Sequence, residues 1–510
     1  MNMPTRDPPP REHVRENDRY LQTEHLVADL GARSVRGGAV TFGAQILKIV
    51  FQFAVTIILA RLLNPEAFGL VAMVAVVLTF LETFKDLGLS SATVQRQDIT
   101  HAQVSTLFWI NAGLGVVAAL LMVPLAPLLA WFYGEPALID ITLSLGLAFI
   151  ISGLSTQHFA LLRRQMRFSA LAGIQMGSEM IAMAAAVFAA YEGAGYWALI
   201  LQRIVWSFCM FVGSWAFCGW RPGRPVGLRH VRQLLGYGSH VTGSNLVSLF
   251  VRNLDQILIG WYWGATPLGL YDRAYKILLL PINNLNAPLF SVAMPALSRL
   301  VGEPERYRRI YLGMVEKLSM MAMPCAALLI AAPDHVVRLL FGPQWMAATP
   351  IVAWLGLAAL YQPITYTCSW LFMTQDRTRE MFNWGMLASA ITTVSIVAGL
   401  PFGAEGVAAS FAISGIVIRM PLLFWFVGRR GPVRPLDFAR AMMPSAVASV
   451  LIIIVIWAIE NIPAMASVNY LQALLIEGAV TALVAFICFV GLPQSRRALV
   501  DMRGMVATIF

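Results

Sequence analysis

Fourteen apolar stretches run through this chain, at residues 38–60, 68–89, 104–130, 137–157, 170–190, 195–217, 238–261, 277–298, 312–332, 348–372, 381–400, 405–427, 441–459 and 470–491. Each is long enough to cross a bilayer as an α-helix, which needs roughly 20 apolar residues. A segment in lipid must satisfy its own backbone hydrogen bonds, and barrel strands are far shorter, so helices are the economical form. Of the 510 residues, 58% are hydrophobic and only 13% charged, against about 25% charged in an average globular protein. The mean hydropathy is +0.68. A water-soluble enzyme with this much apolar surface would aggregate. The expected fold class is an all-α polytopic membrane protein with fourteen transmembrane helices. Prolines inside the runs (Pro281, Pro288, Pro295, Pro324, Pro363) mark kinks and hinges rather than ends.

Charge sets the orientation. An even number of spans places both termini on one side. With the N-terminus in the cytoplasm, 27 of the 37 basic residues fall in cytoplasmic segments and four, Arg61, Arg273, Lys276 and Arg338, in opposite loops. That asymmetry predicts cytoplasmic termini and an inner-membrane, multi-pass location. Residues 1–36 are polar, arginine-bearing and contain Pro8-Pro9-Pro10, and they lack the apolar core of a signal peptide. They read as a disordered cytoplasmic tail running into a short interfacial helix near Leu21–Leu30. Trp131-Phe132-Tyr133, Tyr196-Trp197 and Trp261-Tyr262-Trp263 stand at predicted outer ends, as interfacial aromatic belts do.

The longest basic connector, Trp220–Leu235, separates the first six spans from the rest, and a short echo crosses it. Leu63-Asn64-Pro65-Glu66-Ala67-Phe68-Gly69-Leu70 closes span 1, and Trp263-Gly264-Ala265-Thr266-Pro267-Leu268-Gly269-Leu270 closes span 7. The predicted organisation is a tail (1–36), an N-lobe of six spans (37–218), a basic linker (219–236), a C-lobe of six spans (237–430), a terminal helix pair (431–492) and a C-terminal cytoplasmic tail (493–510). Two pseudo-symmetric six-helix lobes related by a repeat are a transporter architecture.

Several chemistries are excluded. The four lysines (Lys48, Lys85, Lys276, Lys317) never follow a glycine, so there is no Walker A loop. Gly236-Tyr237-Gly238 begins like a dinucleotide loop, but Val241 and a membrane-helix entrance end the match. The seven histidines show no HExxH spacing and the five cysteines no CxxC, so no metal site and no cofactor are expected. Basic residues spread through short loops argue against nucleic acid. No enzyme is predicted.

What remains is charge at membrane depth, which costs at least about 2.5–3.5 kcal/mol per group and should face a wet cavity or a partner. The deep set is Lys48, Glu179, Arg203, Arg252, Asp255, Arg419 and Glu477. Glu82, Lys85 and Asp86 near a span end have the spacing to satisfy one another on one helix. Arg252 and Asp255 stand i,i+3, either as a self-neutralising pair or with Arg252 facing a cavity and Asp255 holding it or exchanging protons. Lys48 and Arg419 have no carboxylate within four positions, as a cationic lumen for an anionic, phosphate-bearing substrate requires. Lys48, Arg203, Arg252 and Arg419 are therefore the substrate-binding candidates. Asp255, Glu179 and Glu477 are the ion-coupling candidates, with a helix–helix hydrogen bond as the other reading of each glutamate. Asn283, Asn284 and Asn286 are candidates to contact sugar hydroxyls, or to act as interhelical glue.

Phe68-Gly69-Leu70, Asp86-Leu87-Gly88-Leu89-Ser90 and Val94-Gln95-Arg96 together resemble the Wzx-like polysaccharide transporters, the oligosaccharide flippases of the multidrug/oligosaccharidyl-lipid/polysaccharide superfamily. Phe132-Tyr133-Gly134-Glu135-Pro136, Leu161-Leu162-Arg163-Arg164-Gln165-Met166-Arg167-Phe168, Arg252-Asn253-Leu254-Asp255-Gln256, Gly269-Leu270-Tyr271 and Phe341-Gly342-Pro343-Gln344-Trp345 extend the likeness over roughly residues 35–430. The resemblance implies a flippase for undecaprenyl-pyrophosphate-linked oligosaccharide repeat units that feed exopolysaccharide, capsule or O-antigen synthesis. It also implies alternating access, an ion gradient and a cationic lumen, with membrane lipids and a polysaccharide polymerase as further partners. A multidrug/cation antiporter, a lipid II flippase and a non-transporting synthase scaffold are the alternatives.

Overall fold

The computed structural model describes residues 20–21, 51–86, 90, 93–94, 96, 99–225, 250, 252–492 and 496; within helices, the side chains of residues 84–86, 280–288, 291–292, 464 and 466 are outside this description. The described residues are helical, with no strand among them. The helices are α1 (Phe51–Leu62), α2 (Pro65–Asp86), α3 (His101–Tyr133), α4 (Leu138–Arg164), α5 (Phe168–Tyr191) and α6 (Trp197–Phe217), then α7 (Leu254–Trp263), α8 (Ala265–Ser298), α9 (Pro304–Ala331) and α10 (Pro333–Leu340). They continue as α11 (Thr349–Thr374), α12 (Thr378–Gly399), α13 (Gly403–Ser414), α14 (Met420–Gly428), α15 (Pro435–Glu460) and α16 (Tyr470–Gly491). Among the described residues, ten helical segments are long and apolar enough to cross a membrane. One of them, Thr378–Gly428, covers two of the apolar runs, parted by a tight 3₁₀ turn at Leu400–Phe402.

The chain divides into two compact units. One comprises residues 1–63 and 73–252, the other residues 64–72 and 253–510.

In the first unit, α3 opens on a reciprocal cap. The Thr100 hydroxyl accepts from the Gln103 N–H at 3.3 Å, and the Gln103 side chain accepts from the Thr100 N–H at 3.0 Å. The core at one end is aromatic: Phe108, Trp215 and Trp220 surround His158, whose ring stacks on Trp215 at 4.5 Å. The basic motif at the end of α4 is structural. The Arg164 guanidinium, almost fully buried, donates to the carbonyls of Leu21, Thr93 and Arg96, and the Gln165 amide donates to the Tyr20 carbonyl at 2.8 Å. Tyr20 and Leu21, within the stretch read as a disordered tail, are thereby held against this unit. Burial pushes the Cys218 thiol, just beyond α6, up to about 11, which leaves it an unreactive core group.

In the second unit, the echoed Gly-Leu pairs meet. A Cβ on Gly69 would collide with the Ala265 carbonyl, and one on Gly269 with the Pro65 carbonyl. Two helix starts therefore cross at backbone contact, which only glycine permits. Phe68 packs on Trp345 with ring centroids 5.4 Å apart, and the Arg273 guanidinium lies over the Phe68 ring at 4.0 Å. Helix α8 begins at Ala265, well before the apolar run that announced it. Arg273 and Lys276, expected in an outer loop, are consequently helical residues paired with the buried Asp272 at 3.3 and 2.7 Å. Farther along, Tyr307, Tyr311, Phe424 and Phe438 fill a core in which the last two rings stack at 4.3 Å.

Candidate functional sites

The first unit encloses a cavity of about 390 Å³ between α2, α4, α5 and α6. On α4, Ser152, Ser155, Thr156, Phe159 and Arg163 line it, and their spacing of three and four puts them on one helical face. The hydroxyls of Ser155 and Thr156 each donate to the Ser152 carbonyl at 2.9 Å, so their donors are satisfied and their lone pairs remain for a guest. Opposite, Arg203 on α6 pairs with Glu82 on α2 and lies over the Trp206 ring at 5.3 Å. Gln175 and Ser207 complete the polar lining. Glu82, expected to pair along its own helix, instead pairs across to α6. Helix spacing alone does not reveal that partner. Arg203 is thus a compensated cation in a polar chamber.

The second unit carries a different arrangement. Tyr271 and Asp255 are both buried, and the Tyr271 hydroxyl donates to Asp255 Oδ2 at 2.7 Å while the Gln256 N–H donates to Oδ1 at 2.9 Å. Tyr271 and Tyr275 stack at 5.9 Å. Arg419 ends a π turn, Gly415–Arg419, between α13 and α14. Such widened turns redirect side chains and recur at functional positions.

Its guanidinium donates to Thr392 Oγ1 at 3.1 Å, to the Tyr361 hydroxyl at 3.2 Å and to the Phe411 carbonyl, and stands 4.3 Å above the Phe411 ring. Its Nε is buried without a hydrogen-bond partner, and no carboxylate pairs with it among the described residues. The turn is built for this approach, because a Cβ on Gly415 would occupy the position of the Tyr361 hydroxyl. Glycine there admits Tyr361, and Tyr361 holds Arg419.

The remaining candidates are dispersed. Arg252 is exposed and stands before the first residue of α7, with a turn at Asn253. Glu179 is half-buried on α5 with no partner among the described residues. Glu477 is fully buried on α16 and bonded to His335 at 2.8 Å. Lys48 lies outside the described residues, as do the side chains of Asn283, Asn284 and Asn286. Tyr271, Tyr361, Thr392 and the serine stripe of α4 escaped the sequence reading. Only the stripe carried a signal, hydroxyls at helical spacing in an apolar run.

Residues 58–350 match a family model described as "Polysaccharide biosynthesis protein". The chain is 28% identical over 341 residues to the teichuronic acid biosynthesis protein TuaB of Bacillus subtilis, covering 66% of this chain and 71% of that one. It is 23% identical over 395 residues to the lipopolysaccharide biosynthesis protein WzxC of Escherichia coli (76% and 80%), and 26% identical over 351 residues to the succinoglycan biosynthesis transport protein ExoT of Rhizobium meliloti (68% and 70%). Among solved structures, the lipid II flippase MurJ in an inward closed conformation is similar with a TM-score of 0.68 at 14% identity, covering 88% of this chain and 98% of that chain. An inward-facing MATE family multidrug resistance transporter of the MOP superfamily has a TM-score of 0.54 at 14% identity, covering 80% and 98%. At 14% identity these two likenesses concern the fold alone. By the family match and the ten apolar helical segments among its described residues, the chain is a multi-pass membrane protein that belongs to the polysaccharide biosynthesis protein family, the Wzx-like kinship that its motifs implied.

Proposed function

We propose that this protein is a flippase that carries undecaprenyl-pyrophosphate-linked oligosaccharide repeat units from the cytoplasmic to the periplasmic leaflet of a bacterial inner membrane. The product would feed exopolysaccharide, capsule or O-antigen assembly. The observation that carries the reading is Arg419, a guanidinium between two apolar helices with a buried Nε that has no hydrogen-bond partner and no carboxylate beside it among the described residues, in a chain of this family. A planar, always charged fork suits a diphosphate oxygen pair. Thr392 and Tyr361 hold the fork in place, so little rotamer freedom is lost on binding.

The polar cavity at Arg203, with its serine and threonine hydroxyls, offers neutral contacts suited to sugars, while Lys48, Arg252 and the three asparagines extend the same roles. The polyprenyl chain would remain in lipid. In this reading the chain has fourteen spans, cytoplasmic termini and two six-helix lobes that work by alternating access without catalytic chemistry. Asp255, Glu179 and Glu477 are the groups through which an ion gradient would act, and a polymerase would receive the product.

Deletion of the gene in its native host tests the proposal. The expected outcome is loss of surface polymer with lipid-linked repeat units accumulating on the cytoplasmic face, reversed by the wild-type gene. Polymer export that continues undiminished, with no accumulated intermediate, contradicts it.

A further inference from the structure

A further charged cluster lies in the second unit, where α10, the end of α15 and α16 meet. Asp334 and His335 stand in the first turn of α10, Glu460 is the last residue of α15, and Glu477 sits two turns into α16. One ligand atom from each of Asp334, His335 and Glu460 lies within 4.8 Å of the other two. The His335 ring is oriented at both nitrogens. Its Nδ1 is 2.8 Å from Glu477 Oε1, and its Nε2 is 3.8 Å from Asp334 Oδ2.

Glu477 is 0% exposed, and its second oxygen has no hydrogen-bond partner among the described residues. Asp334, by contrast, is 45% exposed, so the cluster opens on that side. The neighbouring Arg338 guanidinium lies over the Tyr470 ring at 5.1 Å.

Three carboxylates thus gather on one imidazole, and a buried carboxylate oxygen there is left unsatisfied. Both facts call for a cation. The split of the histidine nitrogens matters most. A metal-binding imidazole regularly gives its other N–H to a carboxylate, which fixes tautomer and ring direction. Glu477 occupies that second position, and Nε2 is the nitrogen on the Asp334 side.

We propose that Asp334, His335 Nε2 and Glu460 bind one divalent cation of the zinc class, with Glu477 as the positioning residue that accepts the Nδ1 proton. Tetrahedral ligands about 2.0–2.2 Å from zinc stand roughly 3.4 Å apart, so separations of up to 4.8 Å must close by at most about 1.4 Å. Two carboxylates and one imidazole suit Zn²⁺ or Mn²⁺, whereas Ca²⁺ prefers six or more oxygens. Solvent on the Asp334 side supplies the remaining ligand. The ion would clip the outer end of the terminal helix pair to α10. The ligands come from two separate elements, α10 and α15, and the positioning Glu477 from a third, so spacing along the chain gave no sign of the site.

The test uses the full-length protein, freed of any tag and stripped with EDTA in detergent micelles. ZnCl₂ is added, and the metal retained after gel filtration is measured together with the unfolding temperature. The expected result is one zinc per chain and a higher unfolding temperature, both lost in the Asp334→Asn/Glu460→Gln double variant, whose changed side chains are partly exposed. Glu477→Gln is expected to weaken zinc binding by about 10- to 100-fold. A wild-type protein that retains no zinc, or a double variant that retains it with the same temperature rise, overturns the proposal. Unchanged zinc affinity in Glu477→Gln overturns the role given to Glu477.

Discussion

Gly69 and Gly269 each face a backbone carbonyl at the start of the other's helix, Gly69 that of Ala265 and Gly269 that of Pro65. The contact is reciprocal: the first residues of α2 and α8 cross, and each glycine accommodates the opposite strand of backbone. The repeated Gly-Leu signature is therefore a packing device, placed where neither helix can give way because the clashing atoms are main chain.

Either glycine replaced by leucine must push the two helices apart. Overpacking of this kind costs about 1–3 kcal/mol in a well-packed site, and Gly69→Leu and Gly269→Leu are expected at or above that range. Fluorescence-detected gel filtration after a heating series would show both variants losing their monodisperse peak at a lower temperature than wild type.

Gly415 and Tyr361 make a sharper pair. Gly415→Ala places a methyl on the Tyr361 hydroxyl and is expected to lower the unfolding temperature. Adding Tyr361→Phe removes the clashing oxygen but leaves the ring carbon Cζ against the new Cβ, so the double variant should recover only part of that loss. Export should stay impaired, because Arg419 loses a hydrogen-bond partner. Equal stability of the single and double variants would contradict the close approach.

Arg203 and Glu82 neutralise each other in the polar cavity. Glu82→Gln and Arg203→Gln are each expected to destabilise the protein, and the double variant less than their sum, with a coupling of roughly 0.5–3 kcal/mol. Unfolding of all four proteins in the same detergent measures it.

Arg252 is exposed and has no partner among the described residues. Arg252→Ala is expected to abolish polymer export while the protein still inserts into the membrane at wild-type levels. Immunoblots of membrane fractions beside surface-polymer assays separate the two.

Much of the fold was legible because hydropathy is a one-dimensional signal: a run such as 470–491 reports its own helix. Boundaries were less so. Helix α8 starts at Ala265 because Gly264, with φ of 82°, turns the chain there, while the apolar run begins only after Asp272 and its cationic partners. At the sites, Arg419 was visible as a deep charge without a local acid, and it stands so among the described residues. Its hydrogen-bond partners were not visible, since Thr392, Tyr361 and the π turn are joined only by tertiary packing. Arg203 also stood among the deep charges in sequence, and its acid lies on another helix. Spacing rules that hold within one helix do not reach across to the next.

The most direct measurement is translocation in proteoliposomes of a fluorescent undecaprenyl-pyrophosphate-linked oligosaccharide by wild type, Arg419→Lys and Arg419→Ala. The predicted result is transfer by wild type, a reduced rate for lysine, which keeps the charge but not the fork, and no transfer for alanine. Wild-type transfer by Arg419→Ala would contradict the account.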